Sequence, residues 1–177
     1  MVFSSLDPRS LALNPFSLIA EDWMLVTAGV PGDWNTMTAS WGGLGHLWNR
    51  DVAFVFIRPT RHTFGFMERE AFFSLSFFDP GMRQALGVCG RLSGRDADKA
   101  KAAGLTPRSF ELPARAGDPA ARVQSFEESR IVFACRKLHA QDLDPACFVD
   151  PSIAGHYESL DWHRLYVGAV EAAWKRD

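Results

Sequence analysis

The stretch WMLVTAGVPGDWNTMTASWGG, Trp23 to Gly43, decides how this chain folds. Its first arm, Trp23 to Val30, is β-branched and apolar, and the PGDWN that follows carries the Pro-Gly-Asp signature of a turn, so the stretch predicts a β-hairpin. Successive side chains of a strand point to opposite faces. On the second arm Thr36, Thr38 and Ser40 therefore share one face, and Met37, Ala39 and Trp41 share the other. After the glycines comes DVAFVFI, Asp51 to Ile57, a short continuous apolar run of the kind expected for a strand buried on both faces. It leads straight into RPTRHT, Arg58 to Thr63.

Further along, Pro59 ends that strand and Thr60 is expected to cap a short helix that carries Phe64 and Met67 on one side. AFFSLSFF, Ala71 to Phe78, alternates, with Ser74 and Ser76 opposite Phe73, Leu75 and Phe77, and reads as another strand. Two short helices are expected next. In PGMRQALGVCGR the residues Met82, Leu86 and Cys89 fall at helical spacing, and SGRDADKAKAAGL runs from a Ser93 cap to a closing Gly104. Thr106 to Arg122 is rich in Pro, Ala and Arg without period and reads as a long surface loop holding at most one strand. IVFACRKLHAQDL, Ile131 to Leu143, and RLYVGAVEAAW, with its central Gly168, supply the closing strands. Strands of mixed length with helices grouped in the middle imply an antiparallel barrel or sheet carrying helical insertions.

The bulk numbers narrow the function. A chain of 177 residues suits a single domain, burying roughly 70% of its unfolded surface, so 1–177 is expected to fold as one unit. Fourteen Phe and six Trp favour a bulky core or a flat pocket. A formal net charge of -2 with no block of like charges argues against a nucleic-acid surface or a membrane anchor, which leaves a small molecule as the expected partner. No apolar run approaches the ~20 residues of a membrane span, and the N-terminal MVFSSLDPRSLALNPF lacks the basic start and sustained apolar stretch of an export signal. Cys89, Cys135 and Cys147 are odd in number and widely spaced. They suit reduced thiols in the cytoplasm, and with His139 and His163 they form no metal-ligand spacing, so no metal site is expected.

Two short motifs carry the chemistry. WGGLGHLW begins like the glycine fingerprint of a dinucleotide loop through Gly43 and Gly45, but Trp48 stands where the third glycine belongs and no βαβ unit follows, so a glycine-rich bend between strands is expected instead. RPTRHT concentrates two guanidinium groups, two hydroxyls and an imidazole beside a helix start, where exposed amides and forked Arg donors suit an anion such as phosphate. On the residues alone a second reading stands beside it: a solvated turn whose arginines pair with carboxylates such as Glu68 or Glu70.

The ordered set NTMTASWGGLGHLWNRDVAFVFIRPTRHT, the FF of LSFF, the CG ahead of SGRDADK and the late HRLYVG resembles the flavin reductase-like proteins, especially the flavoredoxin-like branch, from about Trp23 to Val170. The resemblance implies an FMN-binding, antiparallel Greek-key split β-barrel that forms homodimers, with non-covalent FMN near the subunit interface. It further implies that Met37, Thr38, Ala39, Ser40 and Trp41 line the isoalloxazine, with backbone amides and the Thr38 and Ser40 hydroxyls meeting its carbonyls and N3–H. Arg58, Thr60, Arg61, His62 and Thr63 would hold the phosphate, with Lys99 of SGRDADK reaching it too. The implied activity is electron transfer from NADH, NADPH or a protein donor through FMN to a flavin, a protein or a small acceptor. A non-catalytic FMN carrier or sensor needs the same cradle, and a split-barrel protein acting on haem or pyridoxine phosphate is a further alternative.

No catalytic residue follows from these motifs. His163 of DWHRLY either lies near the flavin edge or serves as a structural histidine, and Trp41 either stacks on the flavin or fills core. Cys89, on the apolar side of its helix, reads as a buried inert thiol rather than a redox centre. The charges of SGRDADK read as a solvated helix start.

Overall fold

The computed structural model describes residues 1–113 and 121–177. Its strands are β1 (Phe3–Ser5), β2 (Met24–Val30), β3 (Asp33–Ala39), β4 (Gly42–Leu47), β5 (Arg50–Ile57), β6 (Phe72–Phe77), β7 (Pro107–Glu111), β8 (Arg122–Phe126), β9 (Ile131–Asp142) and β10 (Arg164–Arg176). Among the described residues, three α-helices of five or more residues, α1 (His62–Arg69), α2 (Arg83–Arg91) and α3 (Lys99–Ala103), are inserted between them.

The expected hairpin is present: β2 and β3 pair antiparallel from Met24↔Ala39 to Val30↔Asp33, and Gly32 supplies the φ of +87° that the Pro31-Gly32 turn requires. The main sheet runs β3-β2-β6-β9-β10-β5-β4, antiparallel throughout, with β1 paired to the far end of β10. The β9–β10 hairpin thus separates β5 from β6, which are neighbours in sequence. The two ends of the path, β3 and β4, are joined by only Ser40 and Trp41, so the sheet must curl. Met37 and Ala39 of β3 meet Ala53 and Val55 of β5 in one core with Val26, Phe73, Phe77, Phe133 and Tyr166. The result is an antiparallel split barrel, open between β3 and β4. Each large apolar side chain removed from water here contributes roughly 1.5–3 kcal/mol. At the centre, Gly168 of β10 is required by close approach, since a Cβ there would stand 2.5 Å from the Phe73 ring and 3.0 Å from Cys135 Cβ.

Several local expectations give way to tertiary context. The glycines of WGGLGHLW lie within strand β4, and the bend falls at Trp48 and Asn49, both at positive φ. β5 is not buried on both faces along its length: Phe54 and Phe56 remain partly exposed. Thr60 does not cap α1, whose N-cap is Arg61. The cap of α3 is Asp98, accepting from the Lys101 amide, rather than Ser93, while Gly104 closes it in the left-handed conformation as expected. The segment after Thr106 is less superficial than its composition suggests. β7 pairs with β8, and Phe110, Leu112 and Val123 pack against Val132 and Ala134 of β9. Residues 114–120 of the expected loop lie outside the described residues.

Candidate functional site

β3 is an edge strand, and its C-terminal half continues into one wall of a cleft of ≈ 210 Å³. Met37, Thr38, Ala39, Ser40 and Trp41 line this wall. Phe56 and Arg58 from the end of β5, Arg61 ahead of α1, and His163 ahead of β10 line the other. The segment from Met37 to Trp41 therefore shares one cavity with Arg58 and Arg61 of the basic motif. The N-terminal half of the same strand borders a second, more polar cleft of ≈ 480 Å³, formed with Gly94, Arg95 and Lys99.

The polar side chains around these clefts are set by one helix end. The last carbonyls of an α-helix have no intrahelical partner. In α2 they are served by residues of the site: Arg61 Nη2 donates to Gly90 O at 2.8 Å and Lys99 Nζ to Cys89 O at 3.2 Å, while Thr38 Oγ1 donates to Leu86 O one turn earlier at 2.5 Å. Cations at a helix C-terminus also complement its dipole. Lys99 Nζ reaches across to Thr36 O of β3 as well, at 2.8 Å.

Among the described residues these cations form no ion pair, although Asp96 and Asp98 line the second cleft with them. Among the described residues, Arg61, Arg95 and Lys99 donate only to backbone carbonyls. Lys99 is 5% exposed, and burial first, then the charge of Arg61, brings its pKa down to about 8. Burial, followed by the charges of Arg95 and Lys99, also lowers the pKa of His62. No side chain caps the first amides of α1. Positive charges that no carboxylate pairs, beside an uncapped helix start, are the donor set a phosphate requires, and the residues present fit that group.

The RPTRHT turn splits its labour. Arg58 commits two of its five N–H donors within the chain: Nη1 donates to Asp161 Oδ1 at 2.6 Å and Nη2 to His156 O at 2.7 Å. Its carboxylate partner is thus Asp161, and neither Glu68 nor Glu70. Thr60 Oγ1 lies 3.4 Å from the other Asp161 oxygen. Thr63 is fully buried, its hydroxyl accepting from Asn35 Nδ2 at 2.6 Å.

At the rim, Trp41 is 44% exposed and sits between two imidazoles, 5.4 Å from His156 and 5.1 Å from His163. It is not core. His163 is 8% exposed, with Nδ1 2.8 Å from the Tyr157 hydroxyl. Burial, aided by the charge of Arg58, lowers its pKa to about 4, so the imidazole is neutral at pH 7. Cys89 is buried and its thiol is pushed up to about 11 by desolvation, which leaves it unreactive.

The cleft unites Met37 to Trp41 with Arg58 and Arg61. Lys99 lines the second cleft with Arg95, His62 lies behind Gly94 of that cleft, and Thr60 and Thr63 have their hydroxyls engaged elsewhere. Lys99, expected on a solvated helix start, is instead buried. Arg95, Asp161 and Tyr157 belong to the site without having been marked by the sequence pattern. For Arg95 a signal exists, because it lies in the same SGRDADK segment as Lys99. For Asp161 there is none, since 103 positions separate it from Arg58.

Comparison with known proteins gives a consistent result. Residues 16–177 match the model of the flavin reductase like domain. Among solved structures, the FMN-binding domain of a flavin reductases-like enzyme from Shewanella baltica superposes with a TM-score of 0.63 at 19% identity, covering 98% of this chain and 77% of that one. Flavoredoxin of Desulfovibrio vulgaris gives 0.62 at 19% identity over 98% and 76%. The NADH:FAD oxidoreductase of Streptomyces globisporus, solved with NAD and FAD fragments, gives 0.57 at 12% identity over 88% and 74%. At these identities the likeness to the solved structures is one of fold. No curated protein matches the chain significantly.

Proposed function

The chain belongs to the flavin reductase-like family, and from that premise we propose that it is an FMN-dependent oxidoreductase passing electrons from NADH, NADPH or a protein donor to a flavin, a protein or a small acceptor. The carrying observation is the shared cleft, in which the Met37 to Trp41 wall faces Arg61 beside cations that lack carboxylate partners. Bound FMN supplies a nitrogen, N5, that accepts and donates hydride, and the chain supplies binding, orientation and electrostatics.

The wall from Met37 to Trp41 takes the isoalloxazine. Because the Thr38 proton is committed to Leu86, its hydroxyl serves as an acceptor for N3–H, whereas Ser40 keeps a donor for a ring carbonyl. The phosphate is assigned to the α1 start, with Arg61, the amides of His62 and Thr63, Arg95 and Lys99. Arg58 and Thr60 border that site while holding Asp161. Neutral His163 and Trp41 form the apolar end, where a nicotinamide ring would lie flat. No acid or base of the chain is needed for hydride transfer. The proposal includes a single domain over 1–177, a homodimer, and a cytoplasmic setting in keeping with buried thiols at Cys89 and Cys135.

Titration with FMN tests the binding step: tryptophan emission should quench and the protein should hold yellow cofactor through gel filtration. Stopped-flow mixing of the loaded protein with NADH and with NADPH tests turnover. Bleaching no faster than for free FMN with either donor would identify a carrier instead of a reductase, and absence of quenching would end the flavin assignment.

A further inference from the structure

The chain between β9 and β10, residues 143–163, crosses the rim of the cleft. It consists of two short turns of helix, Pro145–Cys147 and Pro151–His156, each started by its own aspartate: Asp144 accepts from the Ala146 amide and Asp150 from the Ser152 amide. Most of its side chains are exposed. Its buried anchor is Tyr157, 4% exposed, against which Trp162 and Phe148 pack with ring centroids 4.7 and 6.1 Å away. Leu160 sits at a φ of 55° with 71% of its surface exposed, a backbone cost that no burial offsets. A segment with self-contained turns and few buried apolar contacts opens locally at far lower free energy than the sheet beneath it.

Two residues that line the cleft, Trp41 and Arg58, are held by this strap, and a third, His163, is its last residue. Trp41 meets His156, His163 bonds Tyr157, and Arg58 makes the firmest attachment. Besides its bonds to Asp161 and the His156 carbonyl, the Arg58 guanidinium lies 4.9 Å over the Tyr157 ring. The Arg58 and Asp161 side chains are 28% and 13% exposed, so solvent screens this pair less than a rim pair. Among the described residues it is the one ion pair the strap makes.

We propose that Asp161 and Arg58 latch this strap across the cleft and thereby set the rate at which a planar ligand enters and leaves. This rests on the flavin reading of the cleft. Arg58 acts here as a positioning residue: its hydrogen bonds go to the strap, and the phosphate is left to Arg61. Opening the latch uncovers Trp41 and His163 together, the two rings between which the flat end of a ligand would pass. Because the latch acts on the ring end, it treats phosphorylated and unphosphorylated flavins alike.

The test compares wild type with Asp161→Asn and Asp161→Glu by hydrogen exchange of the ligand-free protein and by stopped-flow release of FMN and of riboflavin. Asp161→Asn should speed exchange of amides in 143–163 by about tenfold while β9 and β10 keep their protection. It should speed release of both flavins by the same factor, and Asp161→Glu should restore most of both effects. Unchanged strap exchange in Asp161→Asn overturns the latch, as does a change in FMN release alone, which would return Arg58 to the phosphate. Should Asp161→Asn fail to fold, Arg58→Lys, which keeps the charge but loses the fork, carries the same two readouts. Wild-type protein that binds neither flavin would overturn the flavin reading, and the exchange measurement would still decide whether the pair holds the strap.

Discussion

Thr38 gives its hydroxyl proton to the Leu86 carbonyl across 2.5 Å, which fixes what the central hydroxyl of the cleft wall has left to offer. One O–H donates once, so toward a ligand Thr38 can only accept. Thr38→Val, nearly equal in shape, removes both roles at once. Urea unfolding should show a loss of about 1 kcal/mol, and FMN titration a weakening of no more than about tenfold. Thr38→Ser should restore both. A variant that loses stability but keeps full flavin affinity would take the ring off this hydroxyl.

Arg61 and Arg58 are expected to separate under mutation although three positions apart. Arg61→Ala should weaken FMN by about 1.5–3 kcal/mol, the worth of a charge-assisted bond, and leave riboflavin almost unchanged. Arg58→Ala, whose partner is Asp161, should affect the two flavins equally. Isothermal titration of both ligands against both variants decides this, and a selective loss of FMN with Arg58→Ala contradicts the division.

Much of this fold could be read from local pattern because its strands obey simple rules. β2–β3 is bounded by Pro31-Gly32, and Ser74 and Ser76 alternate with Phe73, Leu75 and Phe77. Where local pattern did not decide, the contact that did was remote. The face that Ser74 shares with Ser76 is buried because β8 covers it, and the Ser74 hydroxyl donates to Gln124 O, 50 positions away. Lys99 follows three charged residues and looks solvated, yet α3 turns it inward onto Thr36 and Cys89 carbonyls. Arg58 offered phosphate and carboxylate as equal partners, and only the strap brings Asp161 near enough to choose. Local propensity fixes which residues lie on a strand, while the partner of a long polar side chain depends on chain closure.

Two glycine substitutions should act in opposite directions. A Cβ on Gly94 would stand 1.9 Å from Asn35 Oδ1 and 3.0 Å from His62 Cδ2, and Asn35 is buried with its amide committed to Thr63. Gly94→Ala should therefore cost about 1–3 kcal/mol and weaken FMN more than riboflavin, because it displaces the α1 start. Gly65, inside α1, has nothing within 4 Å of its would-be Cβ. Gly65→Ala should stabilise by about 0.4–1 kcal/mol through the unfolded chain. Thermal melts that rank the two variants the other way would refute the packing at Gly94.

The pH dependence of stability should carry the mark of His163. Its pKa is about 4 in the fold against an ordinary 6.5, with burial as the main cause and the Arg58 charge second. Between those values the unfolded chain holds a proton that the folded chain does not, so stability rises with pH through this window and is lost on acidification from 6.5 toward 4. The full displacement corresponds to about 3 kcal/mol. Carboxylate effects fall lower: Asp51, held down to about 2 chiefly by its bond to Arg9, loses its contribution only as pH drops below 3.8. Urea unfolding from pH 7 to 4.5 reads the histidines with lowered pKa, His163 and, with the same sign, His62, clear of the carboxylates. His163→Gln should reduce that slope, leaving the part that His62 supplies. Tyr157→Phe, which removes the hydroxyl 2.8 Å from Nδ1 but leaves the ring buried beside Arg58, should keep most of the slope. An equally steep slope in His163→Gln would mean that the imidazole is solvated and that the strap does not close over it.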